Sequence, residues 1–335
     1  GQKYISCSCF FLSWYNPGGR YIYFPVFPYL SSQLKTHMRP YIFTLTAVLF
    51  LTACNNNKES TLSAFKAIEV KYPTTKKDTT VKDNYFGTEV ADPYRWLEND
   101  SSAETAEWVK AQNEITDGYL SGIPFRDKIK KRYEELYNYE KYSAPFKEGK
   151  FTYYYKNSGL QNQSVLYREL AESKGSEVFL DPNAFSKDGT TSLSTINFSK
   201  DGSMAAYNIS EGGSDWQKLI VMNALTKELT GDTLDIKFGA ASWKGNDGFY
   251  YSTYDKIKNG SKLSGITESH KVYYHKVGTA QKDDQLIFGS DEKPFRYVWS
   301  GVSEDQQWLF LYTANETYGN GLYIQNLSTP GAPIK

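Results

Sequence analysis

Hydrophobic positions change period once along this chain. Between Tyr85 and Tyr137 they step by three and four, as on helices; from Phe151 onward they alternate, as on strands. Ser101 with Glu104 is a capping-box pattern that predicts a helix carrying Trp108, Ile115 and Tyr119 near one face, stopped by Gly122-Ile123-Pro124. Asp92-Pro93 is a second start signal. A further helix is expected from about Phe125 to Tyr137, with Ile129, Tyr133 and Leu136 on its apolar stripe. Each helix has only one apolar stripe, so the two cannot make a core alone and must cover something else.

The strand pattern opens with Phe151–Tyr155, an Asn157-Ser158-Gly159 turn, and Ser164–Tyr167, which reads as a β-hairpin. A unit then recurs. Phe198-Ser199-Lys200-Asp201-Gly202-Ser203-Met204-Ala205-Ala206-Tyr207 is echoed by Trp243–Tyr251 and Val302–Phe310. A further alternating strand follows each, at Lys218–Met222, Lys271–His275 and Leu322–Gln325. A repeat of ~45–58 residues with Asp-Gly-type turns inside it predicts propeller blades, about four of them, the first beginning at the hairpin. The expected fold class is mainly β, a partial β-propeller preceded by a short α-helical segment. An unclosed ring leaves raw edges, so poor solubility or self-association is expected.

Composition supports the β reading and removes other classes. Of 335 residues 16% are aromatic, with 28 Tyr and 7 Trp; disordered chains are aromatic-poor. The 38 basic and 38 acidic residues cancel, and no basic stripe supports nucleic-acid binding. The three cysteines, Cys7, Cys9 and Cys54, all precede the patterned region, which leaves it no disulfide framework and no cysteine metal site.

The first part of the chain reads as processing sequence. Residues 1–37 show no sustained period, and Met38 then opens a charged start, an apolar run from Tyr41 to Leu51 and Thr52-Ala53-Cys54. That is the layout of a secretory signal, and Leu51-Thr52-Ala53-Cys54 matches the bacterial lipobox. The run is shorter than the ~20 residues a span needs. Residues 38–54 are therefore expected to be a lipoprotein signal with Cys54 as the lipidated residue, anchored at the membrane of a bacterial envelope. Residues 1–37 are expected to be non-native upstream sequence and 55–74 a polar tether, followed by the helical segment 75–145 and the incomplete propeller 146–335.

Asp92-Pro93-Tyr94-Arg95-Trp96-Leu97-Glu98, Ala111-Gln112-Asn113-Glu114-Ile115-Thr116, and Tyr142-Ser143-Ala144-Pro145-Phe146-Lys147-Glu148-Gly149-Lys150 followed by Gly159-Leu160-Gln161-Asn162-Gln163 resemble the N-terminal half of prolyl oligopeptidases. Asp181-Pro182-Asn183, Ser214-Asp215-Trp216 and Tyr273-Tyr274-His275 with Gly278-Thr279 extend the likeness. The resemblance implies a seven-bladed propeller, of which this chain holds about four blades. It also implies a catalytic α/β-hydrolase domain beyond Lys335 as partner of the helical segment. The activity it implies is serine-type cleavage of short peptides after proline, with the propeller restricting entry. Trp96 and Trp108 are expected to be core residues.

No catalytic residue is assigned within the chain. A Gly-x-Ser-x-Gly elbow is missing from the sequence; Gly212-Gly213-Ser214-Asp215-Trp216 comes nearest and falls in a propeller loop. His37 precedes the expected start, while His270 and His275 lie on opposite faces of one strand and are read as packed or solvated. Asp283-Asp284 and Asp291-Glu292 are read as solvated loop acids, and Asn208-Ile209-Ser210 matters as a sequon only in a eukaryotic secretory route. No cofactor or metal is expected. The rival reading is a lipid-anchored propeller that binds without catalysis.

Overall fold

The computed structural model describes residues 68–170, 175–255, 257–258 and 261–335. Cys54, His37 and the proposed leader and lipobox lie outside them, as does most of the proposed tether.

An extended stretch leads into a hairpin of β1 (Lys82–Tyr85) and β2 (Thr88–Ala91), then a short 3-10 turn at Arg95–Glu98. Asp92 starts no long helix. It accepts from the Tyr94 backbone N–H (3.3 Å) and the Arg95 Nε (2.6 Å), locking the turn instead. Helix α1 spans Ala103–Ser121 and is capped by Ser102, whose Oγ accepts from the Thr105 N–H at 3.1 Å. The expected cap at Ser101 is one residue early, because Glu104 is drawn to Lys76 (2.8 Å) rather than back to the cap. Trp96 and Trp108 are half-buried rather than core residues. Their indole N–H groups donate to the Lys76 carbonyl (3.1 Å) and the Thr75 hydroxyl (3.0 Å), pinning the extended stretch. Helix α2 covers Arg126–Tyr137 as the period predicts, yet buries no residue.

Four antiparallel sheets follow, each a blade. In blade one, β3 (Lys141–Tyr142) and β4 (Phe146–Glu148) pair with β5 (Phe151–Asn157), which continues to β6 (Val165–Leu170) and β7 (Ser176–Leu180). Blade two is β8 (Thr191–Phe198), β9 (Met204–Glu211), β10 (Trp216–Asn223) and β11 (Leu229–Lys237). Blade three orders β12 (Ser242–Lys244), β13 (Gly248–Thr253), β16 (Lys271–Lys276) and β17 (Gln285–Phe288), with a small hairpin of β14 (Ile257–Lys258) and β15 (Ile266–Thr267) inserted. Blade four has β18 (Tyr297–Val302), β19 (Trp308–Ala314) and β20 (Gly321–Asn326), whose Ile324 exchanges two backbone bonds with Lys335.

The repeated sequence unit has a physical source. Ser199 Oγ donates to Asp201 and accepts from the Met204 N–H, and Ser303 does the same with Asp305 and the Trp308 N–H. These turns join the first and second strands of a blade and meet at one rim. The Asn246 amide donates to Asp201 at 2.8 Å, and the Gly245 N–H to the Gln306 side chain at 2.7 Å. Gly202 (φ +71°) presses on the turn of blade one, where a Cβ would stand 2.6 Å from the Gly149 nitrogen.

The core is three clusters between four sheets. Phe151, Tyr153, Leu166 and Phe179 meet Ala205, Tyr207 and Met222 between blades one and two. Leu219, Val221, Leu234 and Ile236 meet Trp243, Phe249 and Tyr251 between two and three. Tyr250 and Val272 meet Val298, Leu309 and Leu311 between three and four. Neighbouring residues of one strand serve opposite interfaces, as the twofold strand period requires.

Polar struts cross the same interfaces. Arg168 of blade one is buried over the Phe151 ring, and its guanidinium donates to the Ala224 and Leu225 carbonyls of blade two. His275 of blade three, fully buried, places Nδ1 2.8 Å from Asp284 Oδ1 and Nε2 3.2 Å from Asp232 Oδ1 of blade two. The expectation that Asp284 is solvated fails. Its side chain is 1% exposed because His275 and the Tyr251 hydroxyl (2.7 Å) draw it inward. Burial opposes charge on His275, but the hydrogen bonds and charges of Asp284 and Asp232 outweigh it and raise its pKa above 6.5. Burial likewise resists charge on Asp232, and donors from Thr230, Gly278 and His275 nonetheless lower its pKa.

The raised histidine stabilises the fold fully below its unfolded pKa of 6.5, and that contribution disappears as pH climbs through the higher folded value. Urea unfolding of the wild type should therefore weaken as pH rises above about 6.5. His275→Gln should remove that slope and destabilise by about 3 kcal/mol below that pH, since it leaves buried carboxylates without their cation. An unchanged slope in the variant would rule out the buried imidazolium.

Candidate functional site

The blade-to-blade connectors lie at the opposite end of the inner strands from the turns described above. There Lys237-Phe238-Gly239-Ala240 carries the chain from β11 to β12. The connector is held tightly. A Cβ on Gly239 would stand 2.1 Å from the Ser252 carbonyl, and the Asn208 amide donates to the Gly239 carbonyl at 2.9 Å. Phe238 takes φ +58°, a conformation that a bulky residue adopts only when its surroundings impose it.

Phe238 forms one wall of a groove of about 610 Å³. Tyr297 and Trp299, two residues apart on β18, form the adjoining wall, with their rings parallel and 6.1 Å between centroids. The Phe238 and Tyr297 rings are likewise 6.1 Å apart. These three aromatics remain 39–41% exposed, whereas Val298 between two of them is buried. Ser194, Thr195 and Asn208 line the floor. Asn208 is buried, spends its amide on Gln217 and Gly239, and has an Oδ1 with no protein partner.

Behind the walls lies His270, 2% exposed. Its Nδ1 accepts from the Val298 N–H (3.2 Å), so the ring proton sits on Nε2 and donates to the Lys237 carbonyl (3.1 Å). Burial lowers its pKa to about 4, against a small opposing effect of the Lys237 carbonyl. Burial also pushes the stacked Tyr254 hydroxyl up to about 12. The rear of the groove is thus neutral near pH 7. Apolar walls and the Ser194 and Thr195 hydroxyls suit an extended peptide, whose side chains can stack on the rings. Such a set holds a ligand and supplies no nucleophile paired with a base.

The other end of the inner strands lines a polar cavity of about 520 Å³, spanned by a Lys200–Glu304 ion pair. A third feature is the stripe of α2, where Ile129, Tyr133 and Leu136 are 59–62% exposed. The helices meet the propeller on the connector side. Lys141 Nζ donates to the carbonyls of Tyr137 (2.8 Å) and Gly159 (2.7 Å), and Ser261 bonds Asp100.

The residues singled out from sequence are not brought together. Ser214 shapes the β9–β10 turn, accepting from the Trp216 N–H at 3.1 Å. His275 bonds Asp232 of blade two, whereas His270, just before β16, bonds Lys237 of blade two and Val298 of blade four; both are packed. Asp291 pairs with Lys271 at 2.9 Å and stays largely exposed. Asn208 is buried, so its sequon presents no surface amide. Phe238, Tyr297 and Trp299 were not legible as site residues. The available signals were a large apolar residue in a short connector beside Gly239, and two aromatics alternating with Val298 on an inner strand.

Against known proteins, a family model described as "Prolyl oligopeptidase, N-terminal beta-propeller domain" matches residues 73–335. The chain is 54% identical over 267 residues to the prolyl endopeptidase of Elizabethkingia meningoseptica, covering 79% of this chain and 38% of that protein. It is 30% identical over 297 residues to the prolyl endopeptidase of Dictyostelium discoideum, covering 73% and 39%. A solved structure of prolyl oligopeptidase B from Galerina marginata, bound to a 35mer hydrolysis and macrocyclization substrate, aligns with TM-score 0.67 at 29% identity over 81% of this chain and 41% of that one. The chain thus spans under half the length of these relatives. Residue likeness, four two-faced sheets and the family match agree: this chain belongs to the prolyl oligopeptidase family, in the region of its N-terminal β-propeller domain.

Proposed function

We propose that this chain is the propeller-bearing part of a serine-type prolyl endopeptidase acting on short proline-containing peptides. The observation that carries the reading is the groove of Phe238, Tyr297 and Trp299, set on the connector side of a propeller whose relatives are prolyl endopeptidases. In this reading a C-terminal α/β-hydrolase domain of the same protein supplies serine, histidine and aspartate. It packs on the exposed α2 stripe and faces the groove. The propeller holds one end of the peptide and excludes folded proteins by the width of its channel. Sheets that continue the ring cover the apolar outer faces of blades one and four, such as Tyr312 and Leu322.

The direct test is hydrolysis of a Gly-Pro chromogenic peptide by this chain and by the in-frame product extending past Lys335. Turnover is expected only from the longer protein, which should contain a Gly-x-Ser-x-Gly elbow. Turnover by residues 1–335 alone, or an extension without that elbow, contradicts the assignment.

We further propose that lipid on Cys54 holds the protein at a bacterial envelope membrane, on the strength of Leu51-Thr52-Ala53-Cys54 after the short apolar run. Metabolic labelling with a fatty acid should mark the wild type and not Cys54→Ser. Equal labelling, or none in either, removes the anchor.

A further inference from the structure

We propose that His270 is a positioning residue for the groove, fixing Phe238 on one wall and the Tyr297–Trp299 strand on the other at a set separation. The proposal rests on the reading of the groove as a peptide-binding surface. The two walls come from pieces of chain that are not neighbours. Phe238 belongs to the connector between blades two and three, and Tyr297 and Trp299 to the inner strand of blade four. His270 enters from blade three, immediately before β16.

Its two nitrogens address the two walls separately. The Val298 N–H, between Tyr297 and Trp299, donates to Nδ1, and Nε2–H donates to the Lys237 carbonyl, one residue before Phe238. Only one ring orientation and one tautomer satisfy both bonds. The ring face stacks on Tyr254 at 4.5 Å, and Tyr254 meets Phe238 edge-on at 6.4 Å. The imidazole meets Tyr297 edge-on, with 6.0 Å between ring centroids. Phe238 is therefore held by two routes, one through backbone and one through rings.

The histidine itself is firmly seated. Ser269 takes φ +65° and donates its N–H to the Pro294 carbonyl at 2.8 Å. A Cβ on Gly289 would stand 2.9 Å from the His270 carbonyl, so the backbone there is closely backed. His270 does not line the groove, and its effect must pass through the walls. The Val298 side chain is fully buried in the core between blades three and four, which transmits the registration to β18.

The test uses the whole chain, a fluorescein-labelled octapeptide containing one proline, and a temperature at which circular dichroism shows every variant folded. His270→Phe keeps the ring and its stacking and removes both hydrogen bonds. It should weaken peptide binding about tenfold, as should Phe238→Ala. His270→Asn, which offers an acceptor near the Nδ1 position, should recover part of the loss. Hydrogen exchange of the ligand-free variants supplies an arm that needs no peptide. In His270→Phe, amides 237–240 and 297–299 should exchange faster while 151–157 of blade one stay unchanged. Affinity within twofold of wild type together with unchanged exchange overturns the proposal. Acceleration in blade one as well also overturns it, marking a general structural role. If the wild type itself fails to bind, the peptide reading of the groove falls, and the exchange arm alone decides for or against positioning by His270.

Discussion

A sheet whose two faces are both apolar cannot stand in water with either face bare. That constraint organises this molecule. In β9, Ala205 and Tyr207 serve blade one while Ala206 serves blade three; in β13, Phe249 and Tyr251 serve blade two while Tyr250 serves blade four. Each large apolar side chain so covered contributes about 1.5–3 kcal/mol, and β10 and β13 carry them on both sides. The polar struts Arg168 and Asp232–His275–Asp284 cross the same interfaces. Their buried charges gain partners only when the blades dock in one register.

The site is a by-product of that stacking. Tyr297 and Trp299 lie on the face of β18 turned away from blade three, where Trp299 stands opposite Tyr312, whereas Val298 between them is buried against blade three. Phe238 is the exception, since its place is imposed by a left-handed backbone angle and by the contacts of Gly239 and Asn208. The aromatic walls are therefore as rigid as the blades that present them, which suits selection of a ligand by shape.

Much of the architecture was legible because propeller strands advertise themselves twice, by alternation and by a repeated turn. The Ser-x-Asp turns at Ser199 and Ser303 are hydrogen-bonded alike, and the sequence echo reports that chemistry. The helices were legible from period and stop signals, though the cap fell on Ser102 because Lys76, distant in sequence, claims Glu104. Asp284 was misread for a similar reason: its cation is on a different strand, and a local acidic pair carries no trace of it. The groove was illegible because exposure of Phe238, Tyr297 and Trp299 depends on which blade each strand faces.

The most direct measurement of the two-faced packing is the labelling rate of single cysteines by iodoacetamide, read by peptide mass. Ala205→Cys and Ala206→Cys, adjacent on β9, should both resist labelling, because blades one and three cover the two faces. On β19 the rates should alternate, slow at Leu311→Cys and fast at Tyr312→Cys. Fast labelling at either alanine site, or equal protection at 311 and 312, would contradict the stacked open arrangement.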